Sequence, residues 1–140
     1  MEIERISVSR SNGVYQLGLE LFDWSFEKVS WNPELVTWFV EHNPELSHVL
    51  DVENQVRGFC LSMKSENFGY ICWLAVHPTL QRNGVGSMLI EKSVSCLLEH
   101  GCNRVGAHVR FDGAANIFFQ KCGFSVRDQT KIEMEKSIPY

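Results

Sequence analysis

The chain has 140 residues, 44% of them hydrophobic, and a formal net charge of −4. That length supports one core and not two, so a single domain spanning residues 1–140 is expected. No apolar run approaches the ~20 residues of a membrane span, the Met1 to Arg5 start has no signal-peptide core, and no basic run offers itself to nucleic acid. A cytoplasmic protein with no membrane or nucleic-acid partner follows as the expectation. Five cysteines (Cys60, Cys72, Cys96, Cys102 and Cys122) form an odd set without a Cys-x-x-Cys pair, which argues for reduced thiols and against a disulfide framework or a zinc site. No metal is expected.

In chain order, Glu2 to Ser9 reads as a strand with Ile3, Ile6 and Val8 apolar. Val14 to Phe26 carries apolar residues at helical spacing (Val14, Leu17, Leu21, Phe22), with Ser11 or Asn12 as a cap. Pro33 opens a second helix through about His42, with Leu35, Val36, Phe39 and Val40 on its apolar side and Asn43-Pro44 as its stop. Ser47 to Asp51 and Arg57 to Lys64 form a hairpin around Glu53-Asn54-Gln55, and Gly69 to Val76 is the next strand. The chain breaks at His77-Pro78 and enters a helix from Val85 to His100, closed by Gly101. A strand from Arg104 to Arg110, a short helix reaching Gly123 and one or two strands within Ser125 to Ile138 complete the chain. This order implies an α/β (α+β) fold, with a mixed sheet of six or seven strands and helices on both faces.

The stretch Gln81-Arg82-Asn83-Gly84-Val85-Gly86, between a strand and a helix, aims unpaired backbone N–H groups at one point with the positive end of the helix dipole behind them. It is an anion cradle. A Walker A loop would need Lys and Ser/Thr after the last glycine, where Ser87-Met88 stands. A dinucleotide fingerprint would need a third glycine where Leu89 stands and an acidic residue where Arg104 stands. The remaining pattern, Gln/Arg-x-x-Gly-x-Gly/Ala preceded by Val76-His77-Pro78, resembles the pyrophosphate loop of the GNAT superfamily of N-acetyltransferases. Asp112 to Phe124 is similar to that family's late helix, Asn-x-x-Ala-x-x-x-Tyr-x-x-x-Gly-Phe, with Ala115, Gly123 and Phe124 in register.

The resemblance implies an acetyl-CoA-dependent N-acetyltransferase acting directly on a primary amine of a small molecule or peptide, as a monomer or homodimer. It implies that the Tyr70–Val76 and Val105–Arg110 strands splay apart. Leu74 N–H would then face the thioester oxygen and Val76 N–H the pantetheine arm, while Gln81, Arg82, Asn83, Gly84, Val85, Gly86 and Ser87 hold the pyrophosphate. Asp112, Asn116 and Phe119 fall at the family's remaining cofactor positions, Asp112 having helix capping as its other reading. Two departures stand out. Tyr70 occupies the place of a glutamate base, and a phenol is a poor base near neutral pH, so Tyr70 either orients the acceptor, the proton leaving through water, or simply packs. Phe119 replaces a tyrosine that protonates the departing thiolate. These departures keep open a catalytically weak acyl-CoA-binding sensor or interaction module. Further polar residues on the acceptor side are Glu20, Asp23, Glu27, Asp51, Glu53, Glu66, His77 and His108, and Trp24, Trp31, Trp38 and Phe39 either line an acceptor pocket or fill the core.

Overall fold

The structure, a computed structural model, describes residues 2–22, 31–109 and 114–127. It divides into two units, Met1–His108 and Val109–Tyr140.

In the first unit, strand β1 (Glu2–Arg5) is followed by helices α1 (Val8–Leu21) and α2 (Pro33–His42), strands β2 (His48–Val52), β3 (Gln55–Ser65) and β4 (Phe68–Val76), helix α3 (Val85–Glu99) and strand β5 (Arg104–Ala107). The strands lie in the order β1-β2-β3-β4-β5. The first three pairings are antiparallel and β4 with β5 is parallel. A parallel neighbour demands a long crossover, which α3 supplies. Among the described residues the sheet has five strands, not the six or seven expected. Residues 128–138, where most of the last expected strands fall, lie outside the described residues, and 125–127 form no strand.

Turn chemistry fixes the antiparallel part. Val52 pairs with Gln55 across Glu53 and Asn54, both at positive φ (51° and 64°), as a two-residue turn with the twist of the flanking strands requires. Asn32 caps α2 by accepting from Leu35 N–H at 2.9 Å, ahead of Pro33 in the first turn. Helix α1 corrects the sequence reading: it begins at Val8, with Ser7 at the N-cap position making no side-chain capping bond, and not at Val14. Ser11, expected as a cap, bonds its hydroxyl back to Val8 O at 2.8 Å. Arg10 anchors the added turn by ion pairs to Glu4 and Asp51. Strand β1 therefore stops at Arg5 instead of running to Ser9.

Helices cover both faces. Val14, Leu17, Val36, Phe39 and Val40 from α1 and α2 pack with Phe59, Leu61 and Ala75 of the sheet. Trp31 stacks on Phe59 at 5.5 Å and donates its Nε1–H to Tyr15 O at 3.0 Å. Gly18 makes room for it, since a Cβ there would come within 2.3 Å of the indole. Trp31 and Phe39 are thus core, whereas Trp38 is 39% exposed and stacks on His42; Trp24 lies outside the described residues. On the other face, α3 lays Leu89 against Gly58 and Leu97 against Gly69. Burying such side chains contributes about 1.5–3 kcal/mol each, which is what holds the loop at the start of α3 against the sheet. Among the described residues no helix is long and apolar enough to cross a membrane.

In the second unit, helix α4 (Ala114–Lys121) buries Phe119, whose ring meets Phe118 and Phe124 edge-on at 5.6 and 5.2 Å. Gly123 closes the helix at φ 93°, the left-handed conformation that glycine adopts without strain.

Candidate active site

Two irregularities in β4 define the site. The first is a bulge. Leu61 pairs with Trp73 and Ser62 with Ile71, so Cys72 is the extra residue on β4. The second is the end of the parallel pairing, whose last partners are Ile71 and Ala107. From Cys72 to Val76, β4 runs on without β5 beside it. Strand β5 ends at Ala107, three residues short of the expected Arg110, which lies outside the described residues; His108, expected on the strand, is an exposed residue just past it.

The direction of the freed backbone groups follows from one hydrogen bond. His77 N–H donates to Arg57 O at 2.8 Å, so at that row the β4 backbone points toward β3. Alternation along an antiparallel pair then makes Gly58↔Val76 and Cys60↔Leu74 the rows whose groups point away from β3. The N–H groups of Leu74 and Val76 therefore face the edge that β5 has left. Val76 O, on the same side, accepts from Gln81 Nε2 at 2.9 Å. Gln81 thus ties the following loop back to the strand end.

Beyond Val76 the chain makes a single turn of 3₁₀ helix, Pro78–Leu80. His77 caps it: its Nδ1 accepts from Thr79 N–H at 3.2 Å and lies 2.8 Å from Thr79 Oγ1. Its Nε2 sits 3.9 Å from Glu20 Oε1. Arg82 (φ 71°) and Gly84 (φ 77°) flank Asn83 in left-handed conformations, and Gly84 caps α3, accepting from Met88 N–H at 3.0 Å. Among the described residues, the backbone N–H groups of Arg82, Asn83 and Gly84 donate to no other backbone group, and those of Val85 and Gly86 begin a helix and lack an intrahelical acceptor. Positive φ at two nearby residues curls such N–H groups into a concavity.

Val85, 1% exposed, pins this turn to the core, while Gln81 to Gly84 are exposed. A Cβ on Gly84 would meet nothing within 4 Å, so the space before the loop is open. No acidic residue stands in the first turn of α3. The residues present fit a diphosphate: open space, converging N–H donors, a helix N-terminus and the exposed Arg82.

Tyr70 is half-buried and its ring lies 4.6 Å from that of Phe68. Cys72 is exposed, but its sulfur turns back toward Tyr70 O at 3.8 Å, and partial burial pushes the thiol up to about 11. Burial also raises the thiol of Cys60. Neither is a ready thiolate nucleophile.

Several expected residues fall elsewhere. Asp51 serves Arg10, Glu53 and Glu66 sit in turns at positive φ, and Asp23, Glu27 and Asp112 lie outside the described residues. Asn116 and Phe119 are on α4 in the second unit, where Asn116 Oδ1 accepts from Gln120 at 2.7 Å. A polar hollow between α1 and the β2–β3 turn, lined by Asn12, Gln16, Glu20, Gln55 and Arg57, meets the site through Glu20 and His77. The sequence reading passed over the Cys72 bulge, for which it holds no signal.

A sheet whose fourth and fifth strands part beside a glycine-turned helix N-terminus is the frame of an acyl-CoA-handling domain. Residues 13–124 match the acetyltransferase (GNAT) family, and the chain belongs to it. An acetyltransferase of Sodalis glossinidius is 29% identical over 101 residues, 70% of this chain and 71% of that protein; one of Yersinia enterocolitica is 29% identical over 101 residues, with 70% and 72% covered. Among solved structures, Ard1 from Thermoplasma volcanium superposes with a TM-score of 0.79 at 27% identity, covering 91% of this chain and 84% of that one. An aminoglycoside acetyltransferase from an uncultured soil sample, in complex with trehalose, shares the fold at TM-score 0.75 and 23% identity, covering 99% and 96%.

Proposed function

We propose that the chain is an acetyl-CoA-dependent N-acetyltransferase that passes the acetyl group directly to a primary amine of a small molecule or peptide. The observation that carries this reading is the direction of Leu74 and Val76 N–H into the gap left by β5, in line with the cradle at the start of α3. Family membership supports the acyl donor, and a structural neighbour was solved in complex with CoA.

When bound, acetyl-CoA supplies a thioester carbonyl open to attack. Arg82, Asn83, Gly84, Val85, Gly86 and Ser87 bind its diphosphate, and Gln81 holds the loop to Val76. Val76 N–H fixes the pantetheine arm. Leu74 N–H donates to the carbonyl oxygen and stabilises the negative charge that develops there, a contribution of about 3 kcal/mol for one well-aimed donor. The amine nitrogen bonds to the carbonyl carbon, the carbon–sulfur bond breaks, and the sulfur leaves with the electron pair. Tyr70 orients the amine, whose proton departs through water. A lysine-like amine is neutral in only about one molecule in 10³ at pH 7, so the rate should climb with pH. The sulfur leaves as thiolate, which a thiol pKa of about 8.5 makes a tolerable leaving group. The raised Cys72 thiol favours direct transfer over an acyl-enzyme route.

The test is release of CoA thiol from acetyl-CoA with a panel of small amines, aminoglycosides and peptides, followed by mass spectrometry of the acceptors. An acetylated amine with a matching rise in thiol is expected. Tight CoA binding with no acetylated product from any acceptor would instead identify an acyl-CoA sensor.

A further inference from the structure

On the sheet face that α1 and α2 partly cover, the edge of β4 next to β5 carries a row of side chains of which the transfer chemistry uses only Tyr70. Gly69 turns toward α3, where a Cβ would come within 2.9 Å of Leu97, so alternation puts Phe68 and Tyr70 on the opposite face. Their rings are 4.6 Å apart at 37°. Phe68 leans across onto β5, where Gly106 gives way to it: a Cβ on Gly106 would stand 3.1 Å from the ring. Arg104, the register partner of Phe68, holds its guanidinium 4.9 Å from the centroid of the same ring.

A guanidinium lying over a ring is held by the ring's negative face and keeps its N–H fork available for a planar anion. Arg104 is exposed. Among the described residues the ion pairs join Arg10 to Glu4 and Asp51, His77 to Glu20 and His100 to Glu45, and none involves Arg104. Glu66, two residues before Phe68 in the β3–β4 turn, is not paired with it either. The strands part after Ile71, and the Phe68–Arg104 row lies three residues back. At about 3.3 Å per residue that is about 10 Å from the opening, and about 17 Å from Leu74, which lies six residues beyond Phe68 with Cys72 taken up by the bulge.

We propose that Phe68, Tyr70 and Arg104 form the acceptor platform, and that the acceptor is an amine carrying a carboxylate about 17 Å from its reacting nitrogen, such as a short peptide acid. The two rings give an extended chain an apolar surface to lie on. The guanidinium takes the carboxylate through parallel hydrogen bonds. A polyamine or aminoglycoside would bring positive charge against Arg104. This inference rests on the acetyl-transfer reading, because it takes the gap beside Leu74 as the place of reaction.

Five residues of extended peptide span about 17 Å, so the test uses CoA joined through an S-acetyl bridge to the N-terminal nitrogen of Gly-Gly-Gly-Gly-Ala. The compound is made as the free acid and as the C-terminal carboxamide, beside a spermidine conjugate and CoA alone, and each is titrated into the protein by calorimetry. The acid should bind about fivefold or more tighter than the carboxamide, and tighter than the spermidine conjugate. Arg104→Gln, with folding checked by circular dichroism and thermal unfolding, should bring acid and carboxamide level. Equal binding of acid and carboxamide to the wild type, an acid preference that survives Arg104→Gln, or tighter binding of the spermidine conjugate would each overturn the platform alone. Failure of CoA itself to bind would overturn the acetyl-transfer reading and the platform with it.

Discussion

Gly84 separates the conformational demand of the cradle from its electrostatic one. Its φ of 77° lies in the left-handed region, and a Cβ there meets nothing within 4 Å, so a side chain at this position costs strain without a clash. For Gly84→Ala the strain is roughly 1–2 kcal/mol, which for a chain of this size lowers Tm by about 3–7 °C. Gly84→Glu carries the same backbone cost and adds one negative charge. At about 6 Å from a diphosphate, with an effective dielectric of about 40 to 80, each charge pair costs roughly 0.7–1.4 kcal/mol. Two phosphate charges give about 1.4–2.8 kcal/mol, or roughly 10- to 100-fold in affinity. The two variants should therefore unfold at similar temperatures while differing by that factor in acetyl-CoA dissociation constant, measured by calorimetry at low salt. If Gly84→Glu binds acetyl-CoA as tightly as Gly84→Ala, no phosphate faces this loop and the reasoning fails.

Arg82→Ala should weaken acetyl-CoA binding by about 1 kcal/mol at low salt, and by less at high salt, because the side chain is exposed and screened; an unchanged acetyl-CoA KM at low salt would remove Arg82 from the site. His48 is 1% exposed, and burial, with Lys92 and Arg5 adding to it, lowers its pKa to about 4. Below the ordinary value of about 6.5 the unfolded chain takes up the proton first, so stability should fall as pH drops from about 6.5 to about 4 and then level off. Urea unfolding across that range should show a loss of a few kcal/mol that His48→Asn flattens. His100 donates its Nδ1–H to Cys96 O (2.8 Å), and its Nε2 meets Glu45 Oε2 at 2.8 Å; the Cys96 carbonyl and then Glu45 raise its pKa, while the His100 bond lowers that of Glu45. The pair's contribution should hold between those two pKa values, fading as pH rises through the His100 value or falls through the Glu45 value. Titration of the His100 ring by NMR should give a midpoint above that of free histidine, falling only part of the way back in Glu45→Gln because the bond to the Cys96 carbonyl remains.

Where local chemistry decides, the sequence is easily read. Pro33 announces α2, Glu53-Asn54-Gln55 a hairpin of which only Glu53 and Asn54 form the turn, Gly101 the end of α3, and the loop from His77 to Gly86 the cradle. The start of α1 is different: Ser7, Ser11 and Asn12 are all cap-like, and the choice falls to Arg10 reaching Asp51 on a strand remote in sequence. The bulge at Cys72 and the early end of β5 are properties of register between strands, and neither Tyr70-Ile71-Cys72-Trp73 nor Arg104-Val105-Gly106-Ala107 carries a mark of them. For the same reason Arg104 looked like an ordinary first residue of a strand. Its place over Phe68 depends on which residue β5 sets opposite it.

The central claim is that backbone N–H groups of β4 and of the start of α3 converge on acetyl-CoA. The most direct measurement is a ¹⁵N–¹H correlation spectrum of the protein titrated with acetyl-CoA. Leu74, Val76, Gly84, Val85 and Gly86 should show the largest amide shifts, with Glu2 to Arg5 on the far strand unmoved. Saturable binding that leaves those five amides in place, and shifts instead the α1 residues facing the β2–β3 turn, would contradict the account.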